Sequence, residues 1–226
     1  MKKILFSLIA ATALLSSCAV QKVTRGEQYA KLYEEKPVSI VVMPPINQTN
    51  FVEAKDYFYT TMYMPLCEKG YYTFSPNLMM SVLQEQSAYD SEMFLEADLK
   101  TFQQVLGADA AMFTIVKTWN RSKIGGRITA GVEYILRSTK TGQTLYHREG
   151  LISLDTSVHA GGGGLTGLLI STAVTALNTA VTDKVEAGRK CTAFVLSDMP
   201  EGKYGQNFNK DQSFLAGEAL VKGVVK

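Results

Sequence analysis

Histidine is almost missing from this 226-residue chain: only His147 and His159 occur. Neither stands in a spaced pair with a cysteine or with the other histidine, so a structural zinc site finds no ligand set. Cysteine is scarce as well, at three residues, too few for a fold stapled by several disulfides. Excess charge is lacking, with 23 basic against 21 acidic side chains, and a balanced chain offers no electrostatic footprint for nucleic acid or other polyanions. Long apolar runs are also wanting. The one at residues 4–15 falls short of the about 20 residues that a transmembrane helix needs. Glycine is present at 161–164, but Leu165-Thr166 stands where a phosphate loop requires Lys and then Ser or Thr.

What the chain does have is a charged start, Lys2-Lys3, a short apolar core and then Leu15-Ser16-Ser17-Cys18, the layout of a cleaved export signal. The order of a branched apolar residue, two small residues and cysteine resembles the bacterial lipobox. It implies diacylglyceryl transfer to the Cys18 thiol, cleavage before Cys18 and acylation of the new amine. More than one acyl chain makes such anchoring stable, at about 0.8 kcal/mol per buried methylene. Residues 1–17 hold two lysines and no acid, so the part that remains is formally neutral. Ala19 is not the aspartate that retains lipoproteins in the inner membrane, and no acidic cluster follows Cys18. Outer-membrane delivery with a periplasmic face is therefore expected. With Cys18 spent on lipid, Cys67 and Cys191 are an even pair in a compartment where disulfides persist. A bridge between them and two free thiols both stay open.

Along the chain, residues 18–36 are polar and read as the lipid anchor and tether, ending in a short helix. Folding is expected over 37–208, with a tail at 209–226. Residues 38–43 are apolar apart from Ser39 and run up to Pro44-Pro45, the pattern of a buried central strand. Ala54, Tyr57, Phe58, Thr61, Met62, Pro65 and Leu66 share a helical face that Pro65 should kink or shorten. A strand at 71–74 leads to a helix opened by Ser75-Pro76 with Leu78, Met79, Val82 and Leu83 on one side. Leu99, Phe102, Val105 and Leu106 form a further helical face closed by Gly107. Residues 110–116 read as a second buried strand. Ile128, Ala130, Val132, Tyr134 and Leu136 alternate with polar residues as a half-exposed strand. A loop at 138–142 then makes a hairpin with a strand from 143 to about 154. These elements predict an α/β fold, one domain with a mixed sheet flanked by helices.

A helix follows the glycine run, apolar over most of its circumference except for a stripe of Gly167, Ser171, Thr175, Asn178 and Thr182. Such a helix wants cover on more than one side. Burial within its own domain is the leading reading; the alternatives are a subunit interface, which Leu165, Leu168, Leu169, Ala173, Ala176, Leu177 and Ala180 would form, and membrane contact, with spanning disfavoured by the polar stripe. Catalytic patterns are thin. Asp155, Ser157 and His159 would line one strand face in a row, a poor geometry for a triad. Glu34-Glu35 and the acids at 90–92 read as solvated charge. Trp119, Tyr71 and Tyr72 suit a core better than a sugar platform. No enzyme class, cofactor, metal or small-molecule substrate is indicated.

Several short motifs occur in a telling order: Ile40-Val41-Val42-Met43-Pro44-Pro45, Pro65-Leu66, Gly70-Tyr71-Tyr72, Leu106-Gly107-Ala108-Asp109-Ala110, Lys117-Thr118-Trp119, Thr141-Gly142-Gln143-Thr144-Leu145, the 161–168 run, and Met199-Pro200-Glu201-Gly202-Lys203-Tyr204. In this order the chain resembles a bacterial outer-membrane lipoprotein family typified by a neisserial vaccine-candidate lipoprotein. It departs from that family at Glu201 and Lys203, where Gly-Pro-Tyr is usual after the first proline. The resemblance implies a fold like the N-terminal domain of TolB and a periplasm-facing lipoprotein, self-associating or working beside a CsgG-like lipoprotein in envelope transport or assembly. It transfers no catalytic residue. An adaptor acting by protein association is the expected function. The alternative is an activator of a peptidoglycan synthase like LpoB, whose fold resembles the same type.

Overall fold

Ile40 and Val42 project to one side of a central strand and Val41 and Met43 to the other, and all four are fully buried. Both faces of this strand must therefore be covered, as its unbroken apolar run requires. The computed structural model describes residues 22–85, 90–121, 127–155 and 174–225. In chain order it runs α1 (Arg25–Gln28), α2 (Ala30–Glu35), β1 (Ser39–Val42), β2 (Ile46–Asn47), α3 (Ala54–Thr61), α4 (Tyr63–Glu68) and β3 (Tyr72–Thr73). It continues through α5 (Pro76–Glu85), α6 (Lys100–Leu106), β4 (Ala110–Arg121), β5 (Arg127–Ser138), β6 (Thr144–Asp155), α7 (Val174–Val195) and β7 (Leu220–Val225).

The seven strands form one mixed sheet in the order β3-β1-β4-β5-β6-β7, with β2 on β4. β1 lies parallel to β3 and β4, the long β4, β5 and β6 are antiparallel, and β7 returns parallel to β6. The α/β fold read from the sequence is thus the fold observed. Its first face carries the main core, where α2, α3, α4 and the end of α7 cover Met112, Val132, Tyr134 and Ile152. Its second face is covered by α5 and α6 over Val41, Met43, Ala111 and Phe113.

Two glycines let α7 settle on the first face. A Cβ on Gly150 would stand 2.2 Å from Val195 Cγ2, and one on Gly223 would stand 2.8 Å from the Phe194 ring. These are distances that no side chain tolerates, so the close helix–sheet approach depends on them.

The sequence boundaries shift at both ends. Residues 24–35, expected as tether, are part of the domain: Thr24 and Glu27 form a capping box that starts α1, and Tyr29, Leu32 and Tyr33 are buried in the main core. Residues 209–226, expected as a tail, supply the buried Asp211 and the whole of β7. The helix at 54–66 breaks at Met62 into α3 and α4, which leaves Pro65 in a first turn where its missing N–H costs nothing. Leu78 and Val105, placed on buried faces by periodicity, are exposed.

Candidate functional site

The densest polar cluster lies where the start of the domain meets the segment after α7. The Asp198 carboxylate is buried. It accepts from Arg25 Nε at 3.1 Å, the Tyr29 hydroxyl at 2.6 Å and the Gly217 amide at 2.8 Å. Asp211, also buried, accepts from Arg25 Nη1 at 3.1 Å and the Tyr33 hydroxyl at 2.9 Å. Burial works to lower the Arg25 pKa, but the two carboxylates outweigh it and hold the guanidinium charged. Burial together with the same carboxylates pushes the Tyr29 and Tyr33 hydroxyls up, so both stay donors.

The backbone reinforces this latch. The Arg25 amide donates to Phe214 O and the Ala216 amide to Val23 O, both at 2.8 Å, and Thr24 bridges Leu215 antiparallel. Arg148 completes it from the sheet, donating to Val195 O at 2.7 Å and Glu218 O at 3.0 Å.

Two of the quoted motifs meet beside the latch. The Gly202 amide donates to Lys69 O at 2.8 Å and the Tyr204 amide to Gly70 O at 3.0 Å, while the Tyr71 hydroxyl reaches Pro200 O at 2.8 Å. Gly70, at φ +81°, would place a Cβ 2.1 Å from Gly205 N, so this joint is a backbone-on-backbone contact. Glu201 turns inward to its own loop, accepting from the Asn207 amide at 2.8 Å. Glu201 thus closes a turn.

A third cluster sits on the second sheet face. A bulge between Val116 and Thr118 sets Lys117 out of register. Its Nζ bridges Glu133 at 2.7 Å and Glu149 at 3.0 Å, and His147 Nε2 lies 2.7 Å from Glu133. Burial raises the Glu133 pKa, but Lys117 and His147 outweigh it and hold the carboxylate below its ordinary range. Glu133, His147 and Glu149 are near enough to share a cation, yet an ammonium already occupies that position. Leu151, Leu220 and Val224 are exposed, and among the described residues β7 is paired on one side only.

The residues singled out by sequence fall unevenly on this plan. Cys18 and Leu165, Leu168, Leu169 and Ala173 lie outside the described residues, as do Ser157 and His159. Ala176, Leu177 and Ala180 lie on α7. Cys67 and Cys191 are free thiols: Cys67 Sγ sits 3.2 Å from Thr73 Oγ1, and Cys191 is buried in the main core, where desolvation pushes its thiol pKa up. Trp119 and Tyr71 are core residues, Trp119 meeting Phe58 edge to face at 5.6 Å, while Tyr72 is exposed. Sequence reasoning missed Arg25, Tyr29, Tyr33, Asp198 and Asp211. The capping box Thr24-x-x-Glu27 was the one local signal that the domain begins so early.

The structure is a mixed α/β domain latched at its N-terminal segment, with β7 paired on one side only among the described residues. Residues 27–202 match the family described as "Putative lipoprotein GNA1162-like", and the chain belongs to that family of lipoproteins. "Putative lipoprotein NMB1124/NMB1162" of Neisseria meningitidis serogroup B is 26% identical over 190 residues, covering 83% of this chain and 87% of that relative. The crystal structure of lipoprotein GNA1162 from Neisseria meningitidis is similar with a TM-score of 0.48 and 20% identity, over 67% of this chain and 99% of that one. The LpoB C-terminal domain from Salmonella enterica gives a TM-score of 0.35 and 12% identity, over 57% and 94%. No helix among the described residues is long and apolar enough to cross a membrane.

Proposed function

We propose that the protein is a periplasm-facing adaptor or accessory subunit of an envelope transport or assembly system, held at the outer membrane by acyl chains on Cys18. It acts by protein association, with a second copy of itself or with another lipoprotein of CsgG-like type. The observation that carries this reading is the open end of the sheet. Among the described residues β7 is paired on one side only, and Leu151, Leu220 and Val224 beside it are exposed apolar side chains. The clusters of chemistry-bearing groups described above are each consumed internally, the latch by its own donors and Glu133 by Lys117 and His147.

The activator reading is weakened by the latch. An activator of an inner-membrane synthase needs a long free tether, whereas here the chain is held from Thr24 onward. Cys18 stands six residues before Thr24, a length of chain that reaches at most about 20 Å when fully extended.

Photo-crosslinking in cells from a benzoylphenylalanine at Val224 tests the proposal. Adducts with a second copy or with another lipoprotein are expected. Capture of a peptidoglycan synthase, or no adduct at Val224 or Leu151, would overturn it. Metabolic labelling with palmitate tests the anchor separately, and label retained after Cys18→Ala would sink that part.

A further inference from the structure

Phe214 and Leu215 are both more than half exposed, at 52% and 54%, although they lie in a segment that the latch holds firmly. They are also paired directly with the residues through which the chain arrives from Cys18. Phe214 O accepts from the Arg25 amide, Leu215 bridges Thr24, and Ala216 donates to Val23 O. The ring is set by Arg25, whose guanidinium carbon stands 5.8 Å from its centroid while the same group pairs with Asp198 and Asp211. An aromatic and a leucine are thus presented outward at the point where the anchor-proximal segment leaves the domain. Lys22 is exposed beside them.

Resting on the Cys18 anchor proposed above, we propose that Phe214 and Leu215 sit in the headgroup region of the same phospholipid leaflet that holds the acyl chains, fixing the orientation of the domain. The argument is one of reach. Six peptide steps separate Cys18 from Thr24, at most about 20 Å when fully extended. Thr24 and Leu215 face each other across an antiparallel bridge whose hydrogen bonds join Arg25 to Phe214 and Ala216 to Val23, so the patch cannot leave the neighbourhood of the bilayer while the latch is closed. An interfacial aromatic with an adjacent cation is suited to that boundary, where apolar faces bury by about 5–10 Å. Anchoring alone would leave the domain free to rotate; a second contact a few residues away removes that freedom. Consequently the β7 edge and the open sheet face are held at a constant angle to the membrane.

The test uses the full lipidated protein carrying Phe214→Trp, reconstituted in phosphatidylcholine–phosphatidylglycerol vesicles with brominated acyl chains. The native Trp119 is 3% exposed and provides the constant background. Quenching of the added emission by roughly twofold relative to unbrominated vesicles is expected from burial at that depth. Val105→Trp, on α6 across the sheet, should be unaffected. Leu215→Trp provides a second reporter should the first variant fold poorly, as judged by its circular dichroism. Emission that is equal in both vesicle types, in protein that floats with the vesicles, overturns the inference and leaves the anchor standing. A crosslink between two copies through this patch would likewise overturn it. Failure to float would instead remove the anchor itself.

Discussion

Replacing Asp198 by alanine is the sharpest test of the latch, because one buried carboxylate serves three donors from two distant parts of the chain. The Tyr29 hydroxyl and the Gly217 amide lose their acceptor at 2.6 and 2.8 Å, and Arg25 keeps only Asp211. Each stranded buried donor costs about 1–3 kcal/mol, and breaking a buried ion pair by removing one member costs about 3–5 kcal/mol. These are two views of one loss, so about 3–5 kcal/mol is the expected destabilisation, the partial exposure of Arg25 favouring the lower figure. For a domain of this size each kcal/mol moves Tm by about 2–4 °C, so a fall of about 10 °C is expected in a circular dichroism melt. Tryptic cleavage at Lys31 should quicken in parallel, since α1 and α2 lose their hold on the core. Combining Asp198→Ala with Arg25→Met should cost less than the sum of the two single changes by at least about 1 kcal/mol, because both remove the same bond. A melt within about 2 °C of the unaltered protein, or full additivity, would refute the reasoning.

Two further outcomes follow from ionisable groups elsewhere. Burial raises the Asp109 pKa, but amide donors from Val38 and Ser39, at 3.0 and 3.1 Å, and the Lys140 ammonium outweigh it and hold the carboxyl below its ordinary value of 3.8. A depressed folded pKa gives stability that is fully present above the unfolded value and lost as pH falls through the folded one. Acid unfolding followed below pH about 4 should therefore be less steep in Asp109→Asn than in the native protein, and parallel curves would count against the assignment. Cys191, buried with its thiol pKa pushed up, should resist a thiol reagent such as dithionitrobenzoate until the protein unfolds, whereas the half-buried Cys67 reacts in the native state. Equal native reactivity of both, resolved with Cys67→Ser, would show that the core around α7 opens.

The repeating parts of the fold were legible because period and composition coincide there. Ile128 through Leu136 alternate in the sequence and bury on one face in the structure, and Gly107 ends α6 in the left-handed conformation its position suggested. The domain's ends were not legible. Residues 24–35 hold too few apolar side chains to declare a core segment, and their hold comes from Arg25, Tyr29 and Tyr33 meeting carboxylates some 170 to 190 positions away. Ion pairs of that separation leave no local periodicity. β7 was missed for a related reason: it reads as a short apolar stretch at a terminus, and only parallel pairing with β6 makes it a strand. The charged cluster on the second face needed three strands in register plus a bulge that frees Lys117, none of which a single sequence displays.

On the Cys18 anchor and the association surface proposed above, the latch also decides which partners that surface can meet. If residues 18–36 were a free tether, about 18 residues would allow a radius near 60 Å, enough to search much of the space between membrane and wall. With Thr24 fixed to Leu215, that radius contracts to about 20 Å. A domain restrained so tightly explores a thin layer, and its local concentration for anything anchored in the same leaflet rises accordingly. Partners that approach from far across the periplasm gain nothing from this arrangement. Partners carrying their own acyl chains gain most, since both proteins are then confined to one surface and need only the correct angle. Opening the latch with Asp198→Ala should therefore weaken the Val224 crosslink to a membrane-anchored partner, even though Val224 lies outside the latch itself.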